Sequence, residues 1–133
     1  MIEGKCDGRD SILFLDTGAD INVIDREFVK RTGISGSRII KANKFIKCAN
    51  DSRMHTDGWV KLNVQIRDQE RYCKFWIVDK IYPNLILGFQ AMKKLKIAVD
   101  SPENCAWVNN VEVPLIQQLK SRSVSRSGLK SEN

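Results

Sequence analysis

Ile12-Leu13-Phe14-Leu15-Asp16-Thr17-Gly18-Ala19-Asp20 places an Asp-Thr-Gly turn directly behind an apolar run. The run has the length of a buried strand, so the turn is delivered at a strand end. Each residue of the triplet has a chemical reason to stand there. Asp16 supplies a carboxylate able to take a proton from water, Thr17 a hydroxyl to brace it, and Gly18 a residue for tight backbone. A bare Asp-x-Gly or Asp-Gly arises often by chance, and Asp7-Gly8 and Asp57-Gly58 are two decoys in this chain. The difference lies in the frame. Ile12 to Leu15 before the triplet and Ile21, Val23 and Ile24 after it would bury its flanks, whereas an ordinary surface turn needs no such setting.

Hydrolysis of a peptide by carboxylates alone requires two of them around one water. Held close together they cannot both ionise, so one acts as base while the other, protonated, polarises the scissile carbonyl. This chain has the triplet once. A chain carrying both copies would repeat the whole lobe and need roughly two to three times this length. The second Asp16 is therefore expected from a second copy, across a two-fold axis between the paired turns. Function would then require a homodimer, and the isolated monomer should be inactive.

Length and apolar content suit one domain. The longest apolar stretches are a few residues, too short to span a bilayer, and no signal-peptide hydrophobic region is seen at the N-terminus, so no membrane partner is expected. Cys6, Cys48, Cys73 and Cys105 are irregularly spaced, without Cys-x-x-Cys or a His-rich cluster, and read as reduced thiols of a cytosolic protein. His55 is the only histidine, which leaves little basis for a Ser-His or Cys-His triad, and it reads as an exposed strand residue. No metal or organic cofactor is expected. The formal charge is +6, and Lys120, Arg122, Arg126 and Lys130 against Glu132 place +3 of it in residues 117–133. That Ser-rich tail is poor in apolar residues and reads as flexible, a linker or a weak electrostatic contact for nucleic acid. No stacking platform, zinc knuckle or recognition helix makes nucleic-acid binding the main function.

The body reads as short strands with two short helices. Val60, Leu62, Val64 and Ile66 alternate with Lys61, Asn63 and Gln65, the period of a half-buried strand. Arg67-Asp68-Gln69-Glu70 is expected as a polar turn, and Tyr72 to Val78 as the returning strand with Cys73, Phe75 and Ile77 on one face. Asp25 is placed to cap a helix over Arg26 to Arg31, and Gly33 to end it. Leu85-Ile86-Leu87-Gly88 reads as a buried strand, Phe89 to Leu95 as a helix. Ile97 to Val99, Ala106 to Val108 and Val111 to Leu115 supply closing strands.

Taken together, the Leu15 to Asp20 string, the later hairpin, and Leu85-Ile86-Leu87-Gly88 followed by a helix resemble the retroviral-type aspartic proteases, the retropepsin family. The resemblance runs from about Asp10 to Leu115. Within that family it is most similar to the proteases of gypsy-like long-terminal-repeat retrotransposons, on the short helix after the motif, the Ala49-Asn50 flap and the ending Val111-Glu112-Val113-Pro114-Leu115. It implies an all-β fold, a closed acid-protease barrel with one or two short helices, one lobe per chain and a two-fold homodimer. Residues 1–9 are then an N-terminal extension, 10–116 the protease domain and 117–133 the tail.

The resemblance also implies roles. Asp16 would be the catalytic carboxylate, Thr17 the interlocking hydroxyl beneath the two aspartates, and Gly18, Ala19 and Asp20 the lining that binds an extended peptide strand-wise. A flap tip at Ala49-Asn50-Asp51-Ser52 would cover the cleft. This tip lacks the glycine of many relatives, so Asn50-Asp51 must supply the turn. Phe89 stands where relatives often carry an arginine, so an Arg bond to Asp20 cannot form. The expected function is peptide hydrolysis in the polyprotein of the chain's own element, in the cytoplasm or within virus-like particles. The alternatives are a domesticated cellular protease with a host substrate, a catalytically silent dimerisation or peptide-binding module, and a nucleic-acid module acting through the tail.

Overall fold

The computed structural model describes residues 1–48, 51–100, 102–116 and 130–132. The strands are β1 (Ile2–Cys6), β2 (Arg9–Leu15), β3 (Asn22–Asp25), β4 (Ile40–Lys47), β5 (Arg53–Ile66), β6 (Gln69–Val78), β7 (Leu85–Leu87), β8 (Ile97–Asp100), β9 (Cys105–Val108), β10 (Val111–Pro114) and β11 (Lys130–Glu132). Helices α1 (Arg26–Arg31) and α2 (Phe89–Lys94) are one and a half turns each, and a 3-10 turn covers Gly36–Arg38. Strands run in the order β1-β2-β7-β3-β6-β5, and β1 pairs again with β5, which closes six strands into a barrel. This is the all-β closed barrel with short helices that the sequence implied. β4 extends the sheet beyond β5 as the long hairpin arm, while β8, β9 and β10 form a separate three-stranded sheet.

Alternation explains the barrel wall. Val60, Leu62, Val64 and Ile66 of β5 are fully buried in one cluster with Cys73, Phe75 and Ile77 of β6. The intervening residues face outward, the period-two pattern of a strand with one face on the core. β7 departs from this pattern because it lies between β2 and β3 and is covered on both faces. Leu85 and Leu87 join the barrel core, and Ile86 joins a second apolar cluster outside it.

Three expectations are revised here. Residues 1–9, read as an extension, carry β1, whose buried Ile2 and Cys6 belong to the barrel core. Asp7 and Gly8 form its tight turn at φ 51° and 79°, the backbone a two-residue hairpin favours. Asp7 also binds β5, its Oδ1 accepting from Asn63 N at 2.9 Å, and it pairs with Arg38. The turn expected at residues 67–70 is tighter than that, because Ile66 pairs with Gln69, so Gln69 and Glu70 already belong to β6. The tail residues Lys130 to Glu132 form β11 on the free edge of β4, where unpaired backbone groups invite a further strand. The rest of the expected flexible tail, 117–129 and Asn133, lies outside the described residues.

The remaining elements follow the sequence closely. Asp25 caps α1, its Oδ2 accepting from Glu27 N at 3.0 Å and Phe28 N at 3.3 Å. Gly33 follows at φ 73°. Asp25 Oδ1 accepts from Ile81 N at 3.0 Å as well, so one buried carboxylate ties α1 to the loop entering β7. All four cysteines are free and buried, and burial, reinforced by neighbouring Asp7, pushes the Cys6 thiol up to about 12. His55 is exposed on β5 against Phe45. No helix among the described residues is long and apolar enough to cross a membrane.

Candidate active site

The Asp16 turn is built by long-range pairing. β2 lies parallel to β7, with Phe14 beside Ile86 and Leu15 beside Leu87. Where the two strands end, Asp16 N donates to Leu87 O at 2.9 Å. The turn then closes on itself, as Gly18 N donates to Asp16 Oδ1 at 3.0 Å and Ala19 N to Asp16 O at 3.1 Å. An N–H aimed at one carboxylate oxygen fixes the side-chain rotamer and so the direction of the other oxygen. Asp16 is only 4% exposed, on a backbone held from two sides. A carboxylate so placed is suited to accept a proton from water in a fixed geometry.

Gly88 locks the far side of the turn. Phe89 N donates to Ala19 O at 2.7 Å, and Gly88 N to Asn22 Oδ1 at 2.7 Å. The backbones approach so closely that a Cβ on Gly88 would stand 2.5 Å from Ile21 O. Asn22 is the residue that sequence reading missed. Its Nδ2 donates to Lys74 O at 3.0 Å, so one side chain bridges β6 and the Leu87-Gly88 corner. With no arginine at position 89, this amide ties β3 to the corner. A polar residue opening a strand carries no local sign of such a role, since its partners lie 52 and 66 residues away. Asn22→Leu should lower stability by about 1–3 kcal/mol through the unmatched Gly88 N–H. Asn22→Asp, which keeps that acceptor, should recover part of the loss in urea denaturation.

The other expected site residues fall into two groups. Thr17, Gly18 and Asp20 are exposed on the turn, whereas Ala19 is buried. Asp51 and Ser52 lie at the β4–β5 tip, where Cys48 N donates to Ser52 O at 2.8 Å and Asp51 N to Cys48 O at 3.0 Å. Asp51 takes the left-handed backbone at φ 66°, as the glycine-free tip required. Ala49 and Asn50 lie outside the described residues. Ile46 and Cys48, at the base of the tip, pack in the same apolar cluster as Ala19, Val23 and Ile86. That cluster joins the hairpin arm to the Asp16 turn and forms an apolar floor separate from the barrel interior. Among the described residues, no group of three or more His, Cys, Asp or Glu side chains could hold a metal ion.

The geometry can now be set beside known proteins. Residues 2–94 match the family described as "gag-polyprotein putative aspartyl protease". The chain belongs to the gag-polyprotein aspartyl protease family. Its Asp16 turn, β4–β5 hairpin, β7 and α2 all lie within the matched stretch, and so does β1. No curated protein matches the chain. Among solved structures, the retroviral protease-like domain of Ddi1 from Leishmania major is similar at TM-score 0.62 and 16% identity, covering 90% of this chain and 95% of that one. EIAV protease, solved with the inhibitor HBY-793, is similar at TM-score 0.61 and 17% identity, covering 74% and 88% respectively. At such identities the likeness is one of fold, and that fold is retropepsin-like.

Proposed function

We propose that this gag-type protease chain is an aspartic endopeptidase that acts as a homodimer, with one Asp16 from each copy. The carrying observation is a single Asp-Thr-Gly whose buried carboxylate is fixed on a rigid corner beside an apolar floor. In this reading one Asp16 is ionised and takes a proton from water, whose oxygen attacks the scissile carbonyl carbon. The other, protonated, donates to the carbonyl oxygen, and collapse of the tetrahedral adduct expels the amine with a proton from the dyad. Thr17, exposed beside Asp16, braces the two turns across the axis. Gly18, Ala19 and Asp20 below, and Ala49, Asn50, Asp51 and Ser52 above, bind an extended peptide through main-chain groups. The half-exposed Phe89 ring, whose backbone is bonded to Ala19, offers apolar surface next to that axis.

The family supports a polyprotein substrate of the Gag-Pol kind, processed by a gypsy-like element in the cytoplasm or in virus-like particles, with β1 joined to residues 10–116 in the catalytic unit. A second reading is favoured by the breadth of the likeness to the Ddi1 domain, 90% of this chain. On that reading the same chemistry serves a cellular substrate. Cleavage of a mixed peptide library at about pH 5, followed against enzyme concentration, tests the proposal. A rate rising more steeply than linearly at low concentration and declining toward alkaline pH is expected. A strictly linear rate, or one flat from acidic to alkaline pH, would overturn it.

A further inference from the structure

The β4–β5 hairpin arm has two unlike faces. Ile46 and Met54, paired across the arm, turn into the apolar cluster beside the Asp16 turn. One position away on each strand, two other pairs are exposed to solvent, Phe45 with His55 and Lys47 with Arg53. Phe45 is 47% exposed, so its ring adds little to the core.

The sequence offers no stacking platform, but this register builds one. The Phe45 and His55 ring centroids stand 5.3 Å apart, and the Arg53 guanidinium carbon lies 4.6 Å from the Phe45 centroid. A guanidinium laid on a ring is held in place, and its fork of N–H donors matches a phosphate. Lys47 faces Arg53 directly, a like-charge pairing that works against the hairpin and is relieved by an anion. Asp51 reaches Lys47 Nζ at 3.8 Å, but both side chains are largely exposed, so that pair is weak. Asp57, the next acidic residue along β5, is taken by Arg26 at 3.1 Å. Beyond β4, β11 sets Lys130 in register with Lys47 and Glu132 with Phe45. It thereby brings the end of the basic segment 117–133 to the same arm.

We propose that the outer face of the arm binds single-stranded nucleic acid, with a base stacked on Phe45 and His55 and a phosphate held by Lys47 and Arg53. The two rows lie two residues apart along each strand, about 7 Å, which is within the reach of one nucleotide. Every base has a face to stack and every nucleotide a phosphate, so the surface reads no sequence. An acidic peptide would satisfy the cations but has no use for the exposed rings. The face lies on the opposite side of the arm from Ile46 and Met54, and it does not depend on the peptide chemistry proposed for Asp16.

Fluorescence anisotropy of a labelled oligouridylate of about twelve nucleotides, titrated with the full chain, tests the assignment. Binding should weaken steeply with salt. Phe45→Ala should weaken it about tenfold with the salt slope unchanged, and Phe45→Tyr, which keeps a ring, should bind as the wild type does. Lys47→Gln should lower the salt slope by about one, as loss of one phosphate contact requires. Both positions are exposed, so thermal scans of these variants should match that of the wild type. Phe45→Ala binding as tightly as the wild type would overturn the platform. Loss of binding confined to the combined Lys120→Ser, Arg122→Ser and Arg126→Ser variant would give the contact to the tail instead. Polyglutamate bound as tightly as the oligouridylate would overturn it in favour of an acidic protein, and no binding at low salt would remove it altogether.

Discussion

Asp16→Asn should lower the rate of peptide cleavage by at least roughly a thousandfold, because the amide cannot take a proton from water. The substitution changes almost nothing else. An asparagine in the same rotamer keeps an oxygen where Gly18 N donates to Asp16 Oδ1 at 3.0 Å, and the main-chain bonds from Asp16 N to Leu87 O and from Ala19 N to Asp16 O are untouched. The side chain keeps its size and shape, so the melting temperature should stay close to that of the wild type. A library digest and a thermal scan on the same preparation check both halves. Cleavage retained by a folded Asp16→Asn protein would remove this residue from the chemistry. Loss of both folding and cleavage would make it a structural group.

Gly88→Ala should strip both stability and activity, by a different route. The added methyl would stand 2.5 Å from Ile21 O, 2.9 Å from Ala19 O and 3.0 Å from Ile21 C. All three are backbone atoms, so no rotamer change relieves the clash. The corner must open, at about 1–3 kcal/mol by the usual effect of overpacking a dense site. Opening it shifts the Phe89 N to Ala19 O bond and, through Ala19, the Asp16 turn. A displacement near 1 Å at a reacting group lowers rates by about a hundredfold. Gly36→Ala is the matched control, since nothing lies within 4 Å of its added Cβ. Urea denaturation should separate the two variants clearly. A Gly88→Ala protein as stable and as active as Gly36→Ala would show that the corner is looser than the backbone contacts require.

Local signals were legible because their causes are local. Val60 to Ile66 alternates, Asp25 stands one residue before a helix, and an apolar run leads into Asp16. These features read correctly, and the resemblance they support carried the closed barrel with them. What stayed hidden depends on partners far away in the chain. β1 is short and holds Gly4, where a Cβ would meet Gln65 O at 2.8 Å, so the residue marks a close crossing of β5 and offers no alternation to read. Asn22 looks like any polar strand residue until β6 and the Gly88 corner are brought to it. The Phe45–His55 ring pair is likewise a product of register, since the two become neighbours only when β4 and β5 pair. β11 had no apolar pattern to announce it, and its site is simply the open edge of β4.

The site reading had the same division. Asp16 through Asp20 form one stretch and could be singled out together, whereas the groups that hold them come from two other places, Leu87-Gly88 at the end of β7 and Asn22 at the start of β3. The apolar cluster beside them is assembled from β2, β3, β4, β5, β6 and β7. Val23 and Ile86 read as buried from the sequence, but two clusters exist, and only the fold shows that they lie with Ala19 and Trp76 in the one outside the barrel interior.

Whether two copies of Asp16 make one site is tested most directly by mixing subunits. Wild-type chains at fixed concentration are equilibrated with a threefold excess of Asp16→Asn chains, and the cleavage rate is compared with that of the wild type alone. If each site needs both carboxylates, mixed dimers are dead and the rate falls to about a quarter, as random pairing of identical subunits requires. A rate unchanged by the inactive chains would mean that a single chain carries out the reaction, and would contradict the shared site.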